Sequence, residues 1–534
     1  MKQAGPAPGD DWSARSVWAV ILVAAAGHLS LFPKAADLDG FYHIGHAAAY
    51  LEGSLFNTAL PWATRSIIGD MGGDLWWGFH VLLTPFAALG DVSGGIRLAS
   101  LTLTLLLGLS FFWVLRRHEV RYAGVWAALF LFAAPNVFFR HLMLRPHVIS
   151  LAASLAMISC MVRGRWWQVA LLSTLISWVH LSLFWMPTGL AVAYAISRVP
   201  VTVLLGREDP DTGVSIRFAI PAAVLGTVLG WLLRPDPLAA AALLNTQLLQ
   251  LFAQKAAGAP LTFAAELSPI GVAEIARTTW FFTGAWLIGL LVVVQRAVQG
   301  KLSPLGQSRV TLVVVSVLVS TAFLLLALVS ARRAMEQWIA FGCLLLPFLW
   351  QTTGIAPEQR WRLRTVAVVV MMHLGWGAYR HSLNVELVAF PGDALAEASS
   401  YLAEHSDPGD LVFHTRWDNF GPLFAYNRVN RYLGGMDPIF QYAHDDQAFW
   451  EFFYLSTDAT SDWTCDAYPC LEGVATDTHE ALVDHFGARW VLVEPRRNPR
   501  FTLYLLNDER YRLALETQRE AVFEILASDA QEQR

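Results

Sequence analysis

The stretch Asp37-Leu38-Asp39-Gly40-Phe41-Tyr42-His43-Ile44-Gly45-His46 follows directly after the first apolar segment of membrane length. It places two carboxylates and two imidazoles at the point where the chain leaves the bilayer. A carboxylate at a membrane surface stays solvated and can act as a base or a metal ligand, and in a helix Asp39 would share a face with His43 one turn later. The stretch therefore predicts an outer loop that carries chemistry.

The composition places this loop in a membrane protein. Of the 534 residues, 55% are hydrophobic and only 15% are charged, with 22 tryptophans. This balance is too apolar for a soluble protein of this length. The net charge of −5 gives no indication of nucleic-acid binding.

Apolar runs close to membrane length recur as far as Tyr379 and predict about eleven crossings, some short enough to be tilted or broken. The runs are Val17–Pro33, Leu98–Leu115, Ala123–Phe139, Val148–Val162, Trp167–Val179, Leu181–Ile196, Phe218–Leu233, Thr279–Val294, Val310–Ser330, Ala334–Trp350 and Thr365–Tyr379. We interpret the first run as an anchor rather than a cleaved signal, because it is long and further apolar runs follow it.

The positive residues predict the orientation, since short cytoplasmic loops are enriched in Lys and Arg. Clusters such as Arg116 with Arg117 fall on the cytoplasmic side if the N-terminus is cytoplasmic. This holds only if the stretch Leu75 to Leu89 lies as a helix in the outer interface instead of crossing. Four arginines then break the rule on the outer side: Arg140, Arg145, Arg332 and Arg333.

After Tyr379 there is no further membrane-length run, and Asp, Glu and Arg become frequent. The pattern predicts a small α/β domain, with helices over Pro391–His405 and His479–Phe486 and strands over Asp410–Thr415 and Arg489–Glu494. We therefore expect an α-helical polytopic membrane domain over 1–384, including an outer loop at 34–96, and a soluble extracytoplasmic α/β domain over 385–534.

Two further features concern the outer side. Cys465 and Cys470 can form a local disulfide in an oxidising compartment, and the alternative is two free thiols. The segment from Arg234 to Arg277 is too polar to cross, and we expect an outer loop with amphipathic helices that covers a cavity.

Asp39-Gly40-Phe41-Tyr42-His43 resembles the Asp-Pro-Tyr-Tyr-His type of sequence in the first outer loop of archaeal oligosaccharyltransferase catalytic subunits. The order of a first span, an acidic outer loop, an interfacial helix and a span that opens with Arg97-Leu98-Ala99-Ser100-Leu101 resembles the GT-C superfamily of membrane glycosyltransferases. That superfamily includes protein mannosyltransferases and aminoarabinose transferases of lipid A. The resemblance covers the first 200 or so residues in pattern and the topology to about residue 380, through short motifs.

The resemblance implies a polyprenyl-phosphate-linked sugar donor and transfer on the periplasmic or luminal side. It matches the family's first-loop acid to Asp39 and its positively charged late outer loop to Arg332 and Arg333. Several relatives have a second acid between the third and fourth spans. Here that segment, Arg140 to His147, contains no carboxylate, which puts metal dependence in doubt.

The chemistry of the residues agrees with this assignment. A lipid-linked phosphate is a good leaving group, so the enzyme must activate an acceptor, for which Asp39 is the candidate base, and neutralise phosphate charge. Guanidinium groups suit the second task, with Arg332 and Arg333 as first candidates and Arg140 and Arg145 as second. The alternative is that these arginines only reach lipid headgroups.

Several histidines and acids are candidates for metal binding or proton transfer. His43, His46, His80 and His147 are candidate ligands or proton carriers, although a lone histidine is more often structural. If a divalent cation is bound, we expect Asp39, Asp74 and His43 to hold it, and Mg²⁺ or Mn²⁺ to be preferred. Asp74, taken singly, can equally be a solvated loop acid.

The sequence thus predicts a multi-pass glycosyltransferase of a bacterial-type inner membrane. It would transfer a sugar from a polyprenyl-phosphate donor to a lipid, glycan or protein acceptor, among membrane lipids and without nucleic acid. A transporter or lipid flippase is the first alternative, although the acids lie in outer loops and no internal repeat is visible. A catalytically inactive relative that acts as an assembly factor is the second.

Overall fold

The computed structural model describes residues 12–205, 213, 215–261, 264–300, 302, 306–352, 360–471 and 474–526. The α-helices of these residues are α1 (Trp12–Leu31), α2 (Asp39–Glu52), α3 (Ile67–Met71), α4 (Trp77–Ala87), α5 (Val92–Arg117), α6 (Ala123–Leu131), α7 (Pro135–His141), α8 (Pro146–Val162), α9 (Trp166–Val179), α10 (Trp185–Leu205), α11 (Ile216–Leu232), α12 (Pro237–Asn245), α13 (Leu251–Ala256), α14 (Val272–Val298), α15 (Gln307–Val329), α16 (Met335–Thr352), α17 (Arg360–Leu387), α18 (Ala396–His405), α19 (Phe420–Tyr426), α20 (Pro438–Tyr442), α21 (Asp446–Ser456), α22 (Thr478–Glu480) and α23 (Pro499–Asn507). The strands are β1 (Ala63–Thr64), β2 (Leu411–His414), β3 (Arg431–Leu433), β4 (Trp463–Thr464), β5 (Thr476–Asp477), β6 (Ala488–Val493), β7 (Tyr511–Glu516) and β8 (Ala521–Ile525).

The chain divides into two compact units, of which the first is helical. It comprises the residues up to Ala36, Arg97–Leu233 and Ala265–Ala389. In this unit α11 packs closely on α9 at Gly226 and Gly230. The approach is so close that a Cβ at either glycine would collide with the α9 backbone. Small residues four apart allow such close approach between membrane helices.

The described residues contain fewer helices that are long and apolar enough to cross a membrane than the sequence predicted. Among the described residues, helices α5, α14 and α15 are long and apolar enough to cross a membrane, and counting two bent helix pairs as single spans gives up to five. The bent pairs are α6 with α7, at 94°, and α11 with Pro237–Ala256, at 109°. Other predicted crossings form short apolar helices such as α9, whose 14 residues reach only about 21 Å. The prediction of eleven crossings is therefore not confirmed.

The second unit combines three separate parts of the chain around a sheet. It comprises Asp37–Ile96, Arg234–Ala264 and the residues from Phe390 onwards. Its main sheet has the strand order β1-β3-β2-β6-β8-β7, parallel from β1 to β6 and antiparallel from β6 to β7. Strand β1 comes from the predicted outer loop and pairs with β3 through Ala63 and Tyr432. The boundary near residue 385 stays a prediction, and the structure adds that the outer loop contributes a strand to this sheet.

The predicted α/β elements of the C-terminal part are present in the second unit. Helix α18 and strand β2 lie within the predicted segments, and β6 overlaps its predicted segment but begins one residue earlier, at Ala488. The predicted helix at 479–486 is formed by α22 and the π-helical turn Ala481–His485. The core of the sheet contains the buried side chains Phe413, Leu482, Val491, Phe501 and Phe523. Cys465 and Cys470 are joined by a disulfide. In the predicted outer loop at 234–277, Thr262 and Phe263 lie outside the described residues.

Candidate functional site

Helix α2 presents the first candidate residues on one face. Asp39 is its first residue and is partly exposed. His43, His46 and Tyr50 follow at intervals of four, three and four residues, so they project from the same side of the helix as Asp39. These three side chains are buried. The helix thus carries a carboxylate at its N-terminus and a row of titratable groups beneath it.

The position of α2 depends on a close contact with α19. A Cβ added at Gly45 would come 2.9 Å from the Cα of Ala425, and one at Gly421 would come 2.8 Å from the carbonyl oxygen of Leu38. Only residues without a side chain allow the two helices to approach this closely. On the α4 side, the ring of His43 meets that of Phe79 edge-on. The two contacts fix the direction of the histidine row.

The buried carboxylate of Asp74 is the centre of the cluster beneath α2. Its Oδ2 accepts hydrogen bonds from Tyr50 Oη at 2.7 Å and from His80 Nδ1 at 2.7 Å. Its Oδ1 accepts the backbone N–H of Trp76 at 2.8 Å. His46 Nε2 lies 3.9 Å from the same Oδ2. Asp74 is therefore an internal anion whose two oxygens are both satisfied.

The electrostatics of the cluster follow from these contacts. Burial alone would raise the pKa of Asp74, but His80, His46 and the hydrogen bonds from His80 and Tyr50 outweigh it and hold the pKa below its usual value. Burial, and next the neighbouring His80, lowers the pKa of His46 from 6.5 to about 3. Burial and the adjacent Asp74 raise the pKa of Tyr50. Asp74 is thus ionised, whereas His46 and Tyr50 are neutral.

A hydrogen-bonded chain connects Asp74 to His43. His80 Nε2 lies 2.8 Å from His43 Nδ1, and its other ring nitrogen bonds Asp74. Since an ionised carboxylate only accepts, Nδ1 of His80 donates to Asp74, and the second hydrogen bond joins Nε2 of His80 to Nδ1 of His43. This arrangement can pass a proton between His43 and the buried carboxylate.

The same residues include a set with metal-ligand geometry. One donor atom each from His46, Asp74 and His80 lie within 4.8 Å of one another. His46 Nε2 has no hydrogen-bond partner among the described residues. Two imidazoles and one carboxylate suit a borderline cation such as Zn²⁺ or Mn²⁺ better than Mg²⁺, which prefers oxygen. The structure thus groups Asp74 with His46 and His80, and His43 lies one hydrogen bond away on His80.

A second polar cluster lies in the first unit and contains the outer arginines. Arg140, in the last turn of α7, donates from Nη1 to Glu266 Oε2 at 2.6 Å and from Nε to Glu336 Oε1. Arg145, which precedes α8, donates from Nη1 to Glu266 Oε1 and Oε2 at 3.0 and 3.1 Å. His147 Nε2 lies 3.4 Å from Glu336 Oε2. The segment from Arg140 to His147 therefore meets two carboxylates from elsewhere in the chain.

The remaining two arginines extend this cluster from the 3₁₀ turn Arg332–Ala334. Arg333 Nη2 lies 3.6 Å from Glu266 Oε1, and Arg332 Nη1 lies 3.2 Å from Glu274 Oε1. Burial would raise the pKa of Glu266, but Arg145, Arg140 and Arg333 hold it well below its usual value. Glu266 is therefore an ionised carboxylate shared by three guanidinium groups.

The structure brings some of the predicted residues together and adds others. Arg140, Arg145 and Arg333 meet at Glu266, and Asp74 meets two of the candidate histidines. The sequence analysis did not single out Tyr50, Glu266 or Glu336. A signal for the two glutamates was present, because arginines clustered in an apolar chain need a counter-charge and their own segment supplies none. The meeting of Asp39 with Arg332 and Arg333 in one pocket stays a prediction.

Comparisons with known proteins identify the fold. No protein-family model and no curated protein sequence matches the chain. ArnT from Cupriavidus metallidurans in the apo state is similar at a TM-score of 0.53 and 11% identity, over 96% of this chain and 98% of ArnT. The same protein bound to undecaprenyl phosphate gives a TM-score of 0.55 and 12% identity, over 97% and 98%. ArnT is an aminoarabinose transferase of the GT-C family. The chain has the fold of ArnT over nearly its whole length, which confirms, at the level of the fold, the resemblance expected from the sequence.

Proposed function

We infer that the protein is an integral membrane glycosyltransferase that uses a polyprenyl-phosphate-linked sugar. The observation that carries this proposal is the arginine cluster of the first unit in a fold that, in ArnT, binds undecaprenyl phosphate. Guanidinium groups bind phosphate oxygens in the same paired geometry in which they bind a carboxylate. Arg140, Arg145, Arg332 and Arg333 are the proposed donor-phosphate residues.

The proposed reaction exchanges one bond to the anomeric carbon of the sugar. The bond from that carbon to the phosphate oxygen breaks, a bond to the acceptor hydroxyl oxygen forms, and polyprenyl phosphate leaves. Asp39 takes the proton of the acceptor hydroxyl, because it is a partly exposed carboxylate at the start of α2. The arginines stabilise the negative charge on the leaving phosphate.

The two histidine sites have supporting roles in this proposal. The chain His43–His80–Asp74 can accept the proton from the acceptor site or relay it. His147, beside Glu336, is a second proton-transfer candidate. A cation held by His46, Asp74 and His80 would supply positive charge near α2. The acceptor, whether a lipid, a glycan or a protein, meets the sugar on the extracytoplasmic face of the inner membrane.

Replacement of Asp39 by asparagine tests the proposed base. We expect Asp39→Asn to lower the transfer rate by about 100-fold or more, because general-base catalysis typically contributes that much. The measurement is the formation of labelled glycosylated acceptor by the full-length protein in proteoliposomes. The matched control is Asp70→Asn, whose carboxylate is 61% exposed and pairs with His444.

The outcomes separate the proposal from its rivals. Full activity of Asp39→Asn would remove Asp39 from the role of base. Passage of labelled sugar lipid across the vesicle membrane without any covalent product would favour the transporter. Intact donor in the presence of wild-type protein and every acceptor class would favour the inactive relative.

A further inference from the structure

Glu266 lies where three guanidinium groups converge. Its two carboxylate oxygens contact Arg140 at 2.6 Å, Arg145 at 3.0 Å and Arg333 at 3.6 Å. Two oxygens of a phosphate group would satisfy the same donors in the same way. The carboxylate therefore fills the position that the arginines would otherwise offer to a phosphate.

Charge counting shows what Glu266 contributes. Arg140, Arg145 and Arg333 carry three positive charges, and Glu266 and Glu336 carry two negative charges, so the cluster has a residual charge of +1 with His147 neutral. Without the Glu266 carboxylate the residual charge would be +2, which the singly charged phosphodiester of the donor would lower to +1 and the polyprenyl phosphate that leaves, with close to two negative charges, would neutralise. Three guanidinium groups with too few anions repel one another strongly when they are shielded from water.

The two glutamates of the cluster differ in access and in partners. The side chain of Glu336 is 3% exposed and contacts Arg140 and His147. That of Glu266 is 17% exposed and lies on a three-residue 3₁₀ turn, Ala265–Leu267, between longer helices. Glu336 is thus buried in the first turn of α16, whereas Glu266 is more exposed and lies outside the long helices.

A second feature of the cluster points to a ligand. Arg140 Nη2 is buried and has no hydrogen-bond partner within the described part of the chain. A buried guanidinium N–H without a partner costs free energy. The cluster therefore contains an unsatisfied donor even while the Glu266 carboxylate is bound to the arginines. The phosphate monoester of undecaprenyl phosphate has three terminal oxygens, one more than a carboxylate, and can satisfy this donor as well.

We propose that Glu266 is an anionic placeholder, whose carboxylate occupies the arginine pocket in the resting protein and exchanges with a phosphate group of the incoming ligand. The inference rests on the proposed function for the identity of that ligand as a lipid-linked phosphate. Glu266 keeps the arginines paired and ordered until the donor arrives, and it competes with the donor for them. It therefore sets the affinity for phosphate and takes no part in bond breaking.

Equilibrium binding to the full-length protein in detergent tests the exchange. The probes are undecaprenyl phosphate and, separately, inorganic phosphate. We expect Glu266→Gln to bind undecaprenyl phosphate about tenfold more tightly than the wild type, since a competing charged contact is removed. The matched control Glu119→Gln removes the partner of Arg309, an ion pair outside the arginine cluster, and should leave the affinity within about twofold.

The possible results distinguish the inference from the proposed function. Wild-type binding of undecaprenyl phosphate with no gain, or a loss, in Glu266→Gln would overturn the placeholder and leave the proposed function standing. A gain for inorganic phosphate alone would support the exchange and contradict a lipid-linked ligand. Should Glu266→Gln fail to fold, Glu266→Asp keeps the charge but shortens its reach, and we expect a smaller gain. Unchanged affinity in Glu266→Asp would then overturn the placeholder.

Discussion

Asp74 keeps its negative charge in a buried setting because three neighbours compensate it at once. Tyr50 and His80 donate to one oxygen, and the backbone of Trp76 donates to the other. A buried carboxylate without such donors would be neutral. The same arrangement holds His46 in its neutral form, because it is buried next to the imidazole of His80. Acidification therefore acts on the cluster first through a histidine.

Buried His46 lowers the stability of the protein as the pH falls, as do other buried histidines with a lowered pKa such as His414. The pKa of His46 is about 3 in the folded protein and near 6.5 in the unfolded chain, so between these values only the unfolded chain binds its proton. His46 alone then decreases the free energy of unfolding by up to about 1.4 kcal/mol for each unit that the pH falls below 6.5. Chemical unfolding of the full-length protein at pH 7.5 and pH 5 measures this slope.

Two variants locate the source of that slope. His46→Gln cannot bind the proton and should show a flatter dependence on pH. His405→Gln changes an exposed histidine of α18 and should keep the wild-type slope. A wild-type slope in His46→Gln would show that other groups cause the acid sensitivity.

The sequence identified many of the residues of both clusters as candidates, but it did not predict which residues would contact one another. Asp74 and the outer arginines were candidates from their position in a membrane protein. The glutamates that pair with Arg140 lie 126 and 196 positions away along the chain, so no short-range pattern in the sequence predicts the contact. His80 was one candidate among several histidines, and only the fold places it between Asp74 and His43. Residue type is a local property, whereas pairing is decided by tertiary structure.

At the scale of elements, α2 carries the acidic stretch, and its docking on α19 sets where that stretch lies. Gly45→Ala should destabilise the protein by about 1–3 kcal/mol, because the new methyl group meets the backbone of Ala425 and cannot displace it cheaply. Transfer activity should fall in the same variant, since α2 carries Asp39. Chemical unfolding and the transfer assay provide the two measurements.

The control for this prediction is a helical glycine with free space around it. A Cβ at Gly284 in α14 meets no atom within 4 Å, so Gly284→Ala should leave stability unchanged or raise it by up to about 1 kcal/mol through helix propensity. Equal effects of the two substitutions would show that close packing at Gly45 is not what holds α2.

Predictions of whole elements succeeded where the local signal was strong. The strand β2 and the helix α18 fall within their predicted segments, and β6 is displaced from its predicted segment by one residue. The apolar run Ala123–Phe139 was expected as one crossing, but it forms α6 and α7 with a bend of 94°, and Pro135 opens the second helix. A proline cannot continue a helix hydrogen-bond ladder, so hydropathy alone overestimates the length of such spans.

At the scale of the whole molecule, the second unit draws the acidic outer loop and the C-terminal sheet into one compact body. Strand β1 makes the outer loop part of that sheet. No composition change along the chain predicts this pairing, because the strand has two residues and its partner lies more than 360 positions later. The disulfide between Cys465 and Cys470 lies in the same unit and agrees with its proposed extracytoplasmic location.

Thiol labelling tests the proposed orientation in the membrane. In intact cells, a membrane-impermeant maleimide should label Glu404→Cys on the exposed side of α18 and should label Arg116→Cys only after lysis. The native Cys160 and Cys343 are buried and should contribute little background. Labelling of Arg116→Cys in intact cells with Glu404→Cys protected would reverse the orientation.

The central step of the proposed activity is the cleavage of the bond between a sugar and a lipid phosphate. Full-length protein in proteoliposomes, supplied with a doubly labelled polyprenyl-phosphate sugar and an envelope lipid extract as acceptor, allows both products to be counted. We predict that one molecule of free polyprenyl phosphate appears for each sugar bound covalently to the acceptor. Donor that stays intact while the protein binds it, or crosses the membrane with it, would contradict the account.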